Sequence, residues 1–270
     1  MYHELINHAT RNYPFLIEHI NVKYIPHFHE EPELVYVIEG NLNVTIGNNG
    51  FVLKENEICI FTPGVIHNLY SHEYNKSFVM KLFPAIDISN IQLNNAVITP
   101  ASDNYDILKN YISDIINENS KKAKGYELAA NIIAEKILLY IIRNTDYHIL
   151  ENTMQIKREN ESDFLNSVTA FLEQHYAEQF SLEEVAKHLN FTKSYFCHYF
   201  KEVTGVTFWN YYTLFRLEKA IQMMKENPSK KYIEISENSG FKNIRTFNES
   251  FKKYHMCTPR EYIKKHYKAK

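Results

Sequence analysis

Residues 27–40 read HFHEEPELVYVIEG. His27 and His29 stand one residue apart, Glu33 follows, and Gly40 closes the stretch. Along an extended strand, residues two apart point to the same side, so the two imidazoles are expected to share a face. Imidazole nitrogens with a carboxylate suit iron, manganese, nickel or zinc, and such a set leaves coordination positions open for a substrate. The same groups can grip the hydroxyls of an organic ligand, or satisfy one another inside a core. Three chemistries compete for one motif: metal binding, ligand recognition and plain structural order.

The segments that must position these residues read as strands from 20 to 85. LNVTIG places Leu42, Val44 and Ile46 on one face, and Asn49–Gly50 in GNNGF is expected to turn a hairpin. FVLKENEICIFTP and SFVMKLFP are short apolar runs bounded by turn residues. Many short strands with no helix between them predict a closed barrel or jelly roll. After residue 103 the period becomes helical. DNYDILKNYISDIINEN sets Tyr105, Leu108, Ile112, Ile115 and Ile116 along one stripe, and YELAANIIAEKILLYIIRN predicts a longer, oilier helix. That helix is more apolar than one barrel contact needs, so residues 126–143 either pack wholly on their own barrel or form the expected dimer surface. Residues 147–162, YHILENTMQIKRENES, lose the period and turn polar, which predicts a linker.

A chain of 270 residues is expected to hold two domains. Cys59, Cys197 and Cys257 are few and far apart, which fits a reducing compartment and offers no disulfide framework. The first twenty residues lack a basic start before an apolar core, so no secretory signal is expected. ANIIAEKILLYII is interrupted by Glu135 and Lys136 and is too short to span a bilayer. The expectation is a cytoplasmic protein with no membrane partner. Charge is uneven: residues 1–162 carry 13 Lys/Arg against 20 Asp/Glu, and residues 163–270 carry 17 against 12. Only the second half is suited to face a polyanion.

From Asp163 onward the pattern is helical and punctuated. Ser181 with Glu184, and Thr258 with Glu261, form two capping boxes, and Pro259 sits at a first helical position. SLEEVAKHLNFTKSYFCHYFKEVTG and YIEISENSGFKNIRTFNESFKKYHM are two copies of one unit: a short helix, a tight turn ending in Phe191 or Phe241, and a second helix. That is a duplicated helix-turn-helix. Phe196, Tyr199 and Phe200, then Ile244, Phe247 and Phe251, line the apolar faces. Lys193, Ser194 and His198, then Arg245, Thr246, Asn248 and Glu249, line the polar faces, with the side-chain types that read base edges. A helix from about Thr207 to Glu226 joins the copies. At 1.5 Å per residue it spans roughly 30 Å, close to the ~34 Å turn of B-DNA, so both units could enter successive major grooves.

With SLEEVAKHL, FK-x-x-TG, FRLEKA, SGF, F-x-x-SFKK and TPREY in place, residues 163–270 resemble the DNA-binding domain of the AraC/XylS family of bacterial transcription regulators. The resemblance implies base contacts from Lys193, Ser194, Cys197 and His198, and from Arg245, Thr246, Asn248 and Glu249. It implies that Lys201 and Lys252 lie near phosphates of double-stranded DNA. Met256 stands where the family usually has glycine, which would cost about 1 kcal/mol if the position is left-handed.

The N-terminal segment resembles the cupin fold, the usual sensor of that family, through His27, His29, Glu33 and Gly40. TPGVIHN resembles the second cupin motif, with Pro63, Gly64 and His67. Together the resemblances imply a multidomain α and β protein. A cupin-like barrel (1–102) with two following helices (103–146) and a linker (147–162) would precede an all-α domain with two helix-turn-helix units (163–270). The implied function is an effector-controlled, dimeric transcription activator, with RNA polymerase as a further partner. His27, His29, Glu33, Tyr36 and His67 are the expected effector-binding residues; Tyr24, Phe28, Tyr36, Phe61 and Tyr70 either fill the core or stack on an effector such as a sugar or an aromatic molecule, whose identity the residues do not name. No cofactor and no catalysis are expected; His27, His29, Glu33 and His67 are the metal ligands if there is a metal. The competing reading is a metal-dependent cupin oxygenase or isomerase with a DNA-binding appendage.

Overall fold

Alternation decides which side each strand buries. The computed structural model describes residues 14–266. In it β1 (Phe15–Ile20), β8 (Asn75–Lys81), β3 (Glu33–Gly40), β6 (Ile58–Phe61) and β10 (Val97–Ile98) form one sheet in that order. β2 (Lys23–His27), β7 (His67–Tyr70), β4 (Leu42–Ile46) and β5 (Asn49–Leu53) form a second, and β11 (Tyr147–Ile149) pairs with β9 (Ile91–Leu93). β3 lies antiparallel to β6, with Glu33 opposite Phe61, Leu34 opposite Ile60 and Val35 opposite Cys59. Leu34, Tyr36, Ile58, Ile60, Phe78 and Met80 therefore share one face. They pack on helices α1 (Tyr105–Lys121) and α2 (Tyr126–Asn144) through Leu108, Ile112, Ile115, Ile133 and Ile137. Glu33, Val35, Cys59 and Phe61 belong to the opposite face. The strands make separate sheets of a jelly-roll type, and the closed barrel is corrected to that extent.

Three local expectations also change. Ile46 pairs with Asn49, so the hairpin turns at Gly47–Asn48 rather than Asn49–Gly50. Gly47 takes φ 54°, which a two-residue hairpin loop requires at its first central position. β2 ends at His27, so His29 lies in the loop before β3 and shares no strand with it. Residues 147–162, the expected linker, are regular rather than coil: they form β11 and the first part of helix α3 (Asn152–His175). Met154 and Ile156 on that helix are exposed, so its start buries no apolar stripe and leaves no helical period to read.

The chain separates into two compact units, one holding most of the residues before Asp163 and the other running from Asp163. From Asp163 the described chain is helical: the end of α3, then α4 (Leu182–His188), α5 (Lys193–Thr204), α6 (Phe208–Glu226), α7 (Tyr232–Asn238), α8 (Ile244–His255) and α9 (Pro259–His266). Ser181 caps α4 through a complete capping box with Glu184, and Glu261 accepts from the backbone N–H of Thr258 at 2.8 Å before α9. Phe164 meets Phe191, Phe196 and Phe200 in the first aromatic core. Leu217, Ile221, Phe241, Phe247 and Phe251 build the second. Among the described residues no helix is long and apolar enough to cross a membrane.

Candidate nucleic-acid interface and ligand site

The two helix-turn-helix units correspond element by element. The turns correspond at Asn190 and Gly240, both left-handed, with φ of 60° and 83°. The second turn then carries one extra residue, Lys242. Beyond it Thr192 and Asn243 each cap the following helix, accepting from the N–H of Tyr195 and of Thr246. Phe196 and Phe200 correspond to Phe247 and Phe251, all fully buried. The caps that end the two helices are Gly205 and Met256, with φ of 73° and 58°. Met256 is thus left-handed.

With the cores matched, the exposed positions correspond as well: Ser194 to Arg245, Tyr195 to Thr246, Cys197 to Asn248, His198 to Glu249, and Lys201 to Lys252. All ten are exposed except Cys197, which is half-buried. Arg245 donates from Nε to Glu249 at 2.8 Å, one helical turn away. In the first unit Lys193 reaches back to Glu183 on α4 at 2.6 Å. Both contacts are on the surface and screened, so neither prevents its cation from turning to another anion.

In the β unit the structure gathers His27, His29, Glu33 and His67. One ligand atom from each lies within 4.8 Å of the others. The elements bring them together as follows: His27 ends β2, His29 sits in the loop, Glu33 begins β3 and His67 begins β7. His29 Nε2 is 3.1 Å from one oxygen of Glu33, and His67 Nε2 is 3.3 Å from the other. The other ring nitrogens meet backbone carbonyls, His29 Nδ1 at Glu31 (2.5 Å) and His67 Nδ1 at Val65 (2.8 Å). Burial alone would push the Glu33 carboxyl up, but the contacts with His29 and His67 outweigh it and hold Glu33 well below the usual carboxylate range. Burial pushes the His29 imidazolium down, with the Glu33 contact acting against it. Lys81, the cross-strand neighbour of Glu33, is held by Glu31 at 3.3 Å.

Tyr36 is not brought to this cluster, and its expected place beside Glu33 is corrected. Three residues along β3 puts it on the opposite face, where its hydroxyl donates to Asn56 and its ring packs with Tyr105 and Phe78. Phe61 does join, stacked on His67 with centroids 3.9 Å apart and planes 9° from parallel. It is also part of the wall of a cavity of about 580 Å³ between β5 and the β9–β10 segment, lined by Ile46, Phe51, Ile60, Gln92 and Leu93 among others. Sequence reasoning missed Gln92 and Arg158. Arg158, on α3, donates to the carbonyls of Pro63 and Ser89 and to Gln92 Oε1. It ties the loop at Pro63, which leads into β7 and His67, to the β9 wall of the cavity. A basic residue in a stretch without helical period gave no signal for this.

The family model described as AraC-like ligand binding domain matches residues 15–94, and the helix-turn-helix domain model matches residues 185–265. The chain belongs to the AraC/XylS family of transcription regulators. Among curated relatives of this AraC/XylS member, the transcriptional regulatory protein HptR of Staphylococcus aureus is 26% identical over 109 residues, 40% of this chain and 42% of that one. The match therefore spans less than half of HptR. The probable transcriptional regulator LumQ of Photobacterium leiognathi is 22% identical over 251 residues, 92% of this chain and 95% of that one. Among solved structures, unsaturated fatty acid bound ToxT from Vibrio cholerae has a TM-score of 0.53 at 12% identity, covering 94% of this chain and 95% of its own. That likeness shows a shared fold.

Proposed function

We propose that the chain is a sequence-specific regulator of transcription that binds double-stranded DNA through α5 and α8 and responds to a small molecule bound in the β unit. The observation that carries this reading is the pair of corresponding helix-turn-helix units whose matched outer positions are solvent-facing, Cys197 half-buried, while their matched phenylalanines are buried. A helix that buries one face and offers Arg, Asn, Thr and Lys on the other is built to lie in a major groove. Ser194, Cys197, His198, Arg245, Thr246, Asn248 and Glu249 are the proposed base-facing residues. Lys193, Lys201 and Lys252 supply charge toward the backbone, a shift for Lys193, whose ammonium already reaches an acid on α4.

The proposed effector site is the cavity walled by Phe61 together with the His29–Glu33–His67 cluster behind it. An apolar wall with amide groups at its rim suits a small ligand with one greasy face and several hydrogen-bonding groups, such as a sugar or an aromatic acid. An unsaturated fatty acid on ToxT is in keeping with effector control in this fold. A second copy is the proposed partner of α2, whose Leu128, Ile132 and Leu139 are exposed along one stripe opposite its buried one. Action in the cytoplasm as an activator that meets RNA polymerase completes the proposal, with no catalysis assigned.

The test is equilibrium binding of the full chain to labelled duplex at several salt concentrations, with and without candidate effectors. The expected result is affinity that falls steeply with salt, exceeds that for random duplex by at least a thousandfold at a selected site, and changes with one class of effector. Equal affinity for every duplex would contradict it.

A further inference from the structure

We propose that Gln92, held in one orientation by Arg158, is the specificity-determining residue of the cavity, and that it reads acceptor oxygens: the ligand it admits is a carboxylate on an apolar body. The inference rests on the reading that this cavity takes the effector, and it narrows that reading. The strand decides the placement. In β9, Ile91 and Leu93 turn toward the apolar core that packs on α1 and α2, so Gln92 faces the other way. Asn94, two residues on, shares the face of Gln92, its backbone N–H still paired with the carbonyl of Asp146 at 2.9 Å. Gln92, Asn94 and Asn95 all line the cavity.

A carboxamide offers one oxygen that accepts and one NH2 that donates, so the partner on one side fixes what is left for the other. Arg158 carries donors only, and the Gln92 atom that meets it is accordingly the oxygen. A backbone N–H also only donates, and that of Val97 takes the oxygen of Asn95 at 2.9 Å. His148, opposite Gln92 on β11, has Nδ1 2.8 Å from the oxygen of Asn94. Three neighbouring carboxamides thus have their oxygens engaged, and among the described residues none of their NH2 groups meets an acceptor. This wall of the cavity has donors to give and no side-chain oxygen to spare.

Arg158 is the positioning residue. The carbonyls of Pro63 and Ser89, at 3.0 and 3.2 Å, hold its guanidinium in place, and all three of its acceptors are neutral. A cation donating to the Gln92 oxygen polarises the amide and strengthens the N–H donors at its other end. The formal charges of Lys54 and Glu57 on the lining cancel, and the Glu57 carboxylate accepts the Lys54 backbone N–H at 2.8 Å. The guanidinium behind Gln92 therefore sets the sign of the site. Sugar hydroxyls could accept from these groups, but each brings a hydrogen that must find an acceptor elsewhere. A carboxylate brings none.

The experiment follows the side-chain amide resonances of isotope-labelled full-length chain during titration with matched probes that share a skeleton: benzoate with benzamidine, and naphthoate with naphthamidine. The amidine has the shape of the carboxylate and only donates. We expect the carboxylates to shift the Gln92 NH2 signal, assigned by its loss in Gln92→Glu, and to bind about tenfold or more tighter than the amidines. Gln92→Glu keeps an oxygen for Arg158 but turns the donor into an acceptor. It should reverse the preference while leaving the unfolding midpoint no lower than that of the wild type. Arg158→Met frees the carboxamide to turn over and should erase the preference, and Arg158→Lys should recover part of it, with folding checked by circular dichroism. Amidines bound as tightly as carboxylates, or a preference unmoved in folded Gln92→Glu, would overturn the donor wall and leave the cavity as the effector site. Failure of both series to disturb any resonance of the cavity lining would sink the cavity reading itself, and this inference with it.

Discussion

Phe191 and Phe241 close the turns of two units that bury the same side chains at the same positions, yet the units present different chemistry outward. Where α8 offers Arg245, Asn248 and Glu249, the matching positions of α5 hold Ser194, Cys197 and His198. Arginine can grip guanine with two hydrogen bonds and asparagine can do the same for adenine. Serine, cysteine and histidine have no such two-point match. On the proposed reading a duplicated scaffold need not mean duplicated readout: α8 would specify bases, and α5 would hold position and sense the shape of the duplex. The difference also reaches the backbone. The first turn reaches its left-handed conformation with Asn190 and the second with Gly240, while the helix caps reverse the choice, Gly205 first and Met256 second.

The largest expected effect tests whether the turns are interchangeable. A Cβ at Gly240 would stand 2.5 Å from the carbonyl oxygen of Tyr176 and 2.8 Å from the Cα of Ala177. With φ at 83° the position also disfavours a side chain. Gly240→Val should destabilise the α unit by about 3 kcal/mol or more in denaturant unfolding. Asn190→Ala, at the matching position, should cost about 1 kcal/mol, because asparagine already carries a side chain there. Equal losses would show that the two turns are not distinguished by their surroundings.

The next effects address readout. In binding-site selection, Arg245→Ala should relax preference at one base pair by tenfold or more, whereas Ser194→Ala should leave every position within about threefold. Glu249→Gln, which releases the 2.8 Å contact with Arg245, should alter the base preferred by α8 without removing it. Lys252→Ala should weaken binding to all duplexes alike and reduce the slope of affinity against salt by about one ion. The smallest effect is a gain: Met256→Gly, at φ 58°, should stabilise the chain by about 1 kcal/mol, read as a raised unfolding midpoint.

Much of this was open to reading in the residues. Capping boxes at Ser181 and Thr258 and the paired phenylalanines are local signals with one dominant geometry each, and the helices follow them. Strand assignments held where alternation was clean, as at Leu42 and Val44. Legibility failed where tertiary contacts decide. The start of α3 buries nothing apolar, so residues 152–162 carried no period. Tyr36 looked like a ligand group because it is aromatic and close to Glu33 in sequence, but strand parity sends it to the opposite face. Arg158 is the converse case: its role rests on carbonyls of Pro63 and Ser89, which no side-chain pattern announces.

The claim that one scaffold carries two unequal readers is tested most directly by selecting duplexes from a random library with the full-length chain and scoring information at each base pair. The account predicts two blocks about one helical turn apart, with strict preference, including guanine, in the block bound by α8 and weak preference in the other, and with the strict block alone degraded by Arg245→Ala. Two equally strict blocks, or no enriched sequence at all, would contradict it.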